Sequence, residues 1–178
     1  MSFQDEEGYT IRQAREEDRY HVAALVIKNH LALSDQVDQE YVCQVKDLQT
    51  DFGFLLDPEP FSRGFCLVAT TSDGMIVGSA GMEEPRLTSR GMSSVLNAVT
   101  VHPHHRRKGL ARNLVSQVLD EARRRRVSRL TLVTLLELMR PAWTLYEQFG
   151  FKRIDEEIVR TSPRKMTVLT YELVLNQS

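Results

Sequence analysis

The sequence predicts a single mixed α/β domain, in which helices and strands alternate around one central sheet. The chain has 178 residues, of which 42% are apolar and 26% charged, as is ordinary for one globular domain. Short apolar runs typical of strands alternate with longer runs at helical spacing, and turn residues separate them. We therefore treat residues 1–178 as one domain and expect helices packed on a sheet.

The first half of the chain shows five segments. They are a strand, two helices and a pair of strands, at 8–13, 17–33, 35–50, 61–71 and 75–82. The turn between the paired strands contains Asp73 and Gly74, a dipeptide that favours a tight hairpin. We expect residues 83–92 to form a loop.

The second half alternates more regularly. Strands are predicted at 93–101, 129–135, 151–159 and 165–175, and helices at 109–126 and 141–149. The first of these helices has one apolar stripe, consisting of Leu110, Ala111, Leu114, Val115, Val118, Leu119 and Ala122. The second should begin near Pro141 and end at Gly150, which can take a left-handed conformation.

A basic loop joins the strand at 93–101 to the helix at 109–126. Pro103 sets a turn, Arg106 to Lys108 supply positive charge, and Gly109 lets the backbone approach a ligand closely. A helix start has unpaired N–H groups and the positive end of the helix dipole. The loop therefore predicts a site for a phosphate or diphosphate.

Two motifs in this half resemble a known family. Arg106 to Ala111 is similar to the Arg/Gln-x-x-Gly-x-Gly/Ala motif of the GCN5-related N-acetyltransferases (GNAT), with Val101 and Pro103 upstream. The second family motif is matched by Ala142, Leu145, Tyr146, Glu147, Gly150 and Phe151. The segment 9–18 also resembles the family's first strand and helix, whereas 34–60 is not clearly covered. The local string from 132 to 147 is somewhat similar to the camello-type eukaryotic branch.

The resemblance implies the family's fold, a central sheet splayed between its fourth and fifth strands. It implies acetyl-CoA as donor and direct attack by a primary amine in a ternary complex, with no metal. The implied cofactor contacts are Val99, Thr100, Val101, Arg106, Arg107, Lys108, Gly109, Leu110, Ala111 and Arg112. The Val99 N–H would stabilise the oxyanion, and Tyr146 would serve the departing sulfur.

The general base is the least defined part of the predicted site. An amine with a pKa near 10.4 costs roughly 4–5 kcal/mol to deprotonate at pH 7, so a base is expected. Some family members have a glutamate on the strand that corresponds to 93–101, but no carboxylate lies there in this chain. We take Glu83 as the candidate base. The alternatives are Glu84, Glu137, and a water held by Asn97 or Thr100.

Composition argues against several other classes. The net charge of −1 gives no overall attraction to nucleic acid or membrane, and no apolar run is long enough to span a bilayer. Cys43 and Cys66 have no disulfide or metal spacing, and the histidines near Pro103 are better explained as solvated loop residues. We expect a reducing, cytoplasmic location, with import into the nucleus left open, and a monomer or homodimer.

The acceptor is open, with a small-molecule amine slightly favoured over a protein N-terminus or lysine. A second alternative is a non-catalytic acyl-CoA-binding module, since no obvious base is present. The run of four arginines at 123–126 could indicate nucleic-acid binding, but cations at a helix C-terminus also complement the dipole. We interpret the run as a solvated helix end and expect no nucleic-acid partner.

Overall fold

The computed structural model describes residues 3–4, 8–32, 64–136, 139–160 and 165–175. The helices and strands, in chain order, are β1 (Phe3–Gln4), β2 (Thr10–Gln13), α1 (Arg19–Leu31), β3 (Phe65–Thr70), β4 (Ile76–Met82), β5 (Arg86–Thr88), β6 (Gly91–Val101), α2 (Leu110–Arg124), β7 (Arg129–Leu135), α3 (Arg140–Gln148), β8 (Lys152–Arg160) and β9 (Lys165–Val174). The predicted helix at 35–50 lies outside the described residues, as does Cys43.

The described strands form one sheet in the order β1-β2-β3-β4-β6-β7-β9-β8, and β5 pairs with β6. Neighbouring strands are antiparallel, except that β6 and β7 are parallel. α2 is the connection between these two strands, as parallel pairing requires a crossover. The mixed α/β fold predicted from the alternating pattern is therefore confirmed.

The sheet opens between β6 and β7. The two strands pair over three positions only, from Ser93 opposite Arg129 to Val95 opposite Thr131. Beyond Val95, β6 continues beside β4 up to Val101, whereas β7 continues beside β9 up to Leu135. The splayed sheet that the resemblance implied is thus present, and it leaves an edge of β6 facing the opening.

The main core lies between the sheet and α2. The predicted apolar stripe of α2 is confirmed, because six of its seven residues are buried and Ala111 is partly buried. Leu114 is fully buried, and its Cδ1 would lie 3.2 Å from a Cβ added at Gly78 on β4. The absence of a side chain at Gly78 therefore allows the helix to pack directly on the strand.

α1 covers the other face of the sheet, which we call the α1 face. Val22, Ala23 and Val26 of the helix pack there in a cluster with Val68 of β3 and Ala98 of β6. α1 is thereby packed directly onto the two strands.

The start of α1 is held by an ion pair. Arg12 donates to both carboxylate oxygens of Asp18, at 2.6 and 3.0 Å, and the Arg15 N–H donates to the same group at 2.7 Å. The hydrogen bond from Arg12 lowers the pKa of the Asp18 carboxyl. The helix is thereby connected to β2.

The prediction of a loop at 83–92 was wrong in part. Arg86–Thr88 forms β5, which pairs with the first residues of β6, so β6 begins at Gly91. Gly91 has a φ of 105°, and the Thr88 hydroxyl donates to its carbonyl at 2.8 Å. All three β5 residues are exposed, and the segment therefore shows no alternation of apolar and polar residues.

The end of α3 follows the prediction. Gly150 has a φ of 89°, and its N–H donates to the Glu147 carbonyl at 3.0 Å, while the Phe151 N–H donates to the Tyr146 carbonyl at 3.1 Å. This pair of bonds is a Schellman motif, which satisfies the last carbonyls of the helix. The ring of Phe151 returns to contact Tyr146, with 5.9 Å between ring centroids.

Truncating Leu114 to alanine should lower the free energy of unfolding by about 2–5 kcal/mol, because it leaves a cavity between α2 and β4. Leu87→Ala is the matched control, since Leu87 is 80% exposed and surface changes cost about 0.5 kcal/mol or less. Urea denaturation of the two variants measures both values. Equal losses would contradict the placement of α2 on the sheet.

Candidate functional site

A β-bulge lies where β6 leaves β7. Ser79 pairs with Thr100 and Gly81 with Asn97, so Ala98 and Val99 together face the single residue Ala80. Ala98 has a φ of 51°, which is rare for a residue with a side chain. A bulge takes backbone groups out of the regular ladder, and here it does so beside the opening. This geometry suits the predicted role of the Val99 N–H, which stays a prediction.

The start of α2 has the geometry of an anion site. The helical bonds begin with the Asn113 N–H, which donates to the Gly109 carbonyl at 3.0 Å. The N–H groups of Leu110, Ala111 and Arg112 therefore have no carbonyl ahead of them in the helix. Gly109 has a φ of 76°, and a Cβ added there would meet nothing within 4 Å. The space in front of the helix is open to a ligand.

Arg106 is exposed, but its side chain bonds back to the protein. Its Nε donates to the Val101 carbonyl at 3.0 Å, and its Nη2 donates to Asn29 Oδ1 at 3.3 Å. The resemblance implies that this charge contacts the diphosphate. That role stays a prediction, although two of the donor groups of Arg106 are already engaged.

The other loop cations are arranged differently. Arg107 is exposed and has a φ of 67°. Lys108 Nζ lies 5.3 Å from the centroid of the Tyr9 ring, and the Tyr9 hydroxyl is 2.8 Å from His105 Nδ1. The loop is therefore connected to Tyr9, the residue directly before β2, through an aromatic and a hydrogen-bonding contact.

Arg112 connects the two helices that flank the opening. Its guanidinium donates to the side-chain oxygen of Gln148 and lies 5.6 Å from the ring centroid of Phe149. Arg112, which the resemblance implies as a cofactor contact, thus joins the start of α2 to the end of α3.

The histidines form a small cluster beside the loop. His102 Nδ1 accepts a hydrogen bond from the His104 N–H at 3.4 Å. Burial lowers the pKa of His102, and the positive charge of Lys28 lowers it further. A neutral imidazole is the form that can accept this bond. In the described parts of the chain, no group of three or more His, Cys, Asp or Glu side chains could hold a metal ion.

Tyr146 is buried in the main core and lies on α3, the helix that follows β7. It is 7% exposed and belongs to the cluster against which Val99 packs. Burial alone raises the pKa of its phenol well above the usual value of about 10. The hydroxyl therefore stays protonated at neutral pH and can act as a hydrogen-bond donor.

Glu83 lies at the level of the sheet where β6 and β7 begin to separate. Its N–H donates to the Val95 carbonyl at 3.0 Å, and Val95 is the last β6 residue that pairs with β7. Met82 points into the core beneath α2, so by strand alternation Glu83 lies on the α1 face. Gly81 and Asn97 share that face, and Asn97 Oδ1 would lie 3.1 Å from a Cβ at Gly81.

Cys66 is opposite Gly81 in β3 and is half-buried. Burial raises the pKa of its thiol to about 12, with a smaller contribution from the charge of Asp18. Thiolate is the nucleophilic form of cysteine, so Cys66 is a poor candidate for a covalent acetyl intermediate.

The arginine run at the end of α2 is paired with carboxylates of the same helix. Arg123 contacts Asp120 at 2.8 Å, and Arg124 and Arg125 both contact Glu121. These pairs agree with the interpretation of the run as a helix end.

In a Cys43→Ser variant, Cys66 is the remaining cysteine and should resist iodoacetamide at pH 8. A thiol with a pKa near 12 is roughly one part in 10⁴ thiolate at that pH, against about a quarter for an ordinary cysteine thiol. Mass spectrometry after timed quenching measures the rate, with urea-unfolded protein as the reactive control. Alkylation as fast as in the unfolded protein would contradict the burial of this thiol.

Comparison with known proteins agrees with this geometry. Residues 29–151, more than half of the chain, match the Acetyltransferase (GNAT) family. A mouse relative named "Probable N-acetyltransferase family 8 member 5" is 34% identical over 124 residues, which cover 68% of this chain and 52% of the relative. The resemblance to the camello-type branch is thereby confirmed. The match spans about half the length of this relative.

Two bacterial proteins from Salmonella typhimurium are also similar. An L-methionine sulfoximine/L-methionine sulfone acetyltransferase is 36% identical over 61 residues, covering 34% of this chain and 36% of that protein. The solved structure of yncA, named as an acetyltransferase and containing its cofactor acetyl-CoA, has a TM-score of 0.65. It is 23% identical, with 96% of this chain and 95% of that chain covered.

No helix among the described residues is long and apolar enough to cross a membrane. The fold, the opening between β6 and β7 and the anion site at the start of α2 all agree with the family match. The chain belongs to the GNAT acetyltransferase family.

Proposed function

We propose that the protein is an acetyl-CoA-dependent N-acetyltransferase that acts by direct attack of a primary amine in a ternary complex. The observation that carries the proposal is the opening of the sheet after Val95, next to the bulge at Ala98 and Val99. The anion site of α2 lies at one end of this opening, and Glu83 lies on the α1 face beside it. A donor and an acceptor could therefore meet at the bulge.

The start of α2 fits the diphosphate of acetyl-CoA. The N–H groups of Leu110, Ala111 and Arg112 point ahead of the helix, and Gly109 leaves the space before them free. The exposed side chain of Arg107 can add positive charge to this site. That yncA was solved with acetyl-CoA supports the same ligand here. The cofactor would supply the thioester, and the protein supplies donors and charge.

Two groups of the protein would act on the thioester in the chemical step. The amine forms the new C–N bond while the thioester oxygen gains negative charge, which the Val99 N–H would stabilise. The C–S bond then breaks, and Tyr146 would donate a hydrogen bond to the sulfur. Full proton transfer from a phenol with a pKa above 10 to a thiolate with a pKa near 8.5 is unfavourable by about 2 kcal/mol or more. Tyr146 therefore acts as a hydrogen-bond donor.

Glu83 is the proposed base, acting directly or through a water held by Asn97. Both residues lie on the α1 face close to the last β6–β7 pair. Removing the ammonium proton costs roughly 4–5 kcal/mol at pH 7 without help. A carboxylate on this face would accept that proton as the amine approaches. Since burial raises the pKa of Cys66, direct transfer is favoured over a cysteine intermediate.

For the acceptor we favour a small-molecule amine, with a protein N-terminus or lysine as the alternative. The bacterial relative named for L-methionine sulfoximine and L-methionine sulfone supports an amino-acid amine. Thiol release from acetyl-CoA should be measured with L-methionine sulfone, other amino acids, a lysine peptide and a peptide with a free N-terminus. Binding of acetyl-CoA without turnover on any amine would instead favour an acyl-CoA-binding module.

Gly109→Asp should weaken acetyl-CoA binding at least about 100-fold, because it adds a carboxylate in front of the helix donors. Isothermal titration calorimetry measures the dissociation constant. Gly74→Asp is the matched control, since Gly74 also has a positive φ, of 87°, and no atom within 4 Å of an added Cβ. Unchanged affinity in Gly109→Asp would overturn the assignment of the loop.

Tyr146→Phe should lower kcat on the order of 10²-fold and leave the affinity for acetyl-CoA nearly unchanged, because the hydroxyl acts on charge that develops in the transition state. Tyr171→Phe is the control, since Tyr171 is also buried but its hydroxyl donates to Glu147 at 2.9 Å. Initial rates and calorimetry separate the two effects. Full turnover in Tyr146→Phe would remove this residue from the mechanism.

A further inference from the structure

Asn29 forms a polar cluster between α1, β6 and the phosphate loop. It is 9% exposed and lies near the C-terminal end of α1. Its Nδ2 donates to Thr100 Oγ1 at 2.5 Å and to the Val101 carbonyl at 3.2 Å. Its Oδ1 accepts from Arg106 Nη2 at 3.3 Å, and Arg106 Nε donates to the same Val101 carbonyl at 3.0 Å. The Val101 carbonyl thus has two side-chain donors, one from α1 and one from the loop.

These bonds satisfy both functional groups of the Asn29 amide. Because the amide is buried, loss of one partner would leave a polar atom without solvent, which costs more than the bond itself contributes. The cluster therefore holds α1 and the loop at fixed positions relative to the end of β6.

The same bonds engage Nε and Nη2 of Arg106 with the end of β6 and with α1. For Arg106 to reach a phosphate with its Nε or Nη2, it would have to release Val101 or Asn29. Arg107, the next residue, is exposed like Arg106 but makes neither of these bonds. The two arginines therefore differ in what their charges can contact.

We propose that Asn29 is a positioning residue. Together with Arg106 it forms a latch that holds the bulged end of β6 and the phosphate loop in one geometry, and Arg106 acts on the protein instead of on the diphosphate. This inference rests on the proposed function, since the geometry it preserves is that of the acetyl-CoA site. The latch is hydrogen-bonded to β6 at Thr100 and Val101, directly after the bulge residue Val99. Shifts there of about 1 Å would misplace the oxyanion donor.

The test is a double-mutant cycle on acetyl-CoA binding with Asn29→Leu, Arg106→Met and the double variant. Each single change should weaken binding about five- to tenfold, and the double variant should be no weaker than the worse single one. Arg107→Met is the matched control and should combine additively with Asn29→Leu. Calorimetry at several salt concentrations gives the dissociation constants.

Salt dependence separates positioning from direct contact. A charge that touches the diphosphate contributes to the slope of log Kd against log salt, whereas a positioning residue does not. Arg107→Met should flatten the slope, and Arg106→Met should leave it unchanged. A flattened slope in Arg106→Met, or additive losses in the cycle with Asn29→Leu, would overturn the latch.

Two further experiments cover the cases in which Asn29→Leu does not fold or the wild type does not bind acetyl-CoA. If Asn29→Leu does not fold, Thr100→Val removes one acceptor of the Asn29 amide and should show the same coupling to Arg106→Met. If the wild type does not bind acetyl-CoA, the proposed function fails, and the cycle is read from urea midpoints instead. Non-additive shifts between Asn29 and Arg106 would then still support the latch, and additive shifts would overturn it.

Discussion

β6 separates from β7 after Val95, and the bulge, the phosphate loop and the α1 face are arranged around this separation. Three paired positions hold the two strands together, and beyond them each strand is stabilised by its other neighbour. An unpaired strand edge inside a protein requires a partner for its backbone groups. In the proposed function, acetyl-CoA bound in the opening would supply this partner.

The two sides of the opening differ in chemistry. On the α2 side, core packing fixes the helix start as a donor of N–H groups, and Tyr146 is kept protonated by burial. On the α1 face, the strand residues nearest the opening are polar or small, including Glu83, Asn97 and Gly81, whereas Val68 packs against α1 farther away. In the proposed reaction, a negatively charged donor and an acceptor that releases a proton would suit these opposite environments. The cluster around Asn29 connects the two sides through the end of β6.

Features determined by local sequence could be predicted, and those determined by distant contacts could not. The stripe of α2 and the turn at Gly150 follow from helical spacing and from a φ that glycine tolerates. The bulge at Ala98 depends on its register with β4, and an alanine gives no signal of a positive φ. Asn29 has partners 71 to 77 residues away, so nothing in its own helix indicates its role.

A crystal structure with bound acetyl-CoA tests the central claim most directly. We expect diphosphate oxygens within about 3 Å of the N–H groups of Leu110 and Ala111. We also expect the thioester carbonyl in the opening, at hydrogen-bond distance from the Val99 N–H, with Arg106 still bonded to Asn29. Acetyl-CoA bound elsewhere, or β6 and β7 closed into a continuous ladder with the ligand outside, would contradict the proposed site.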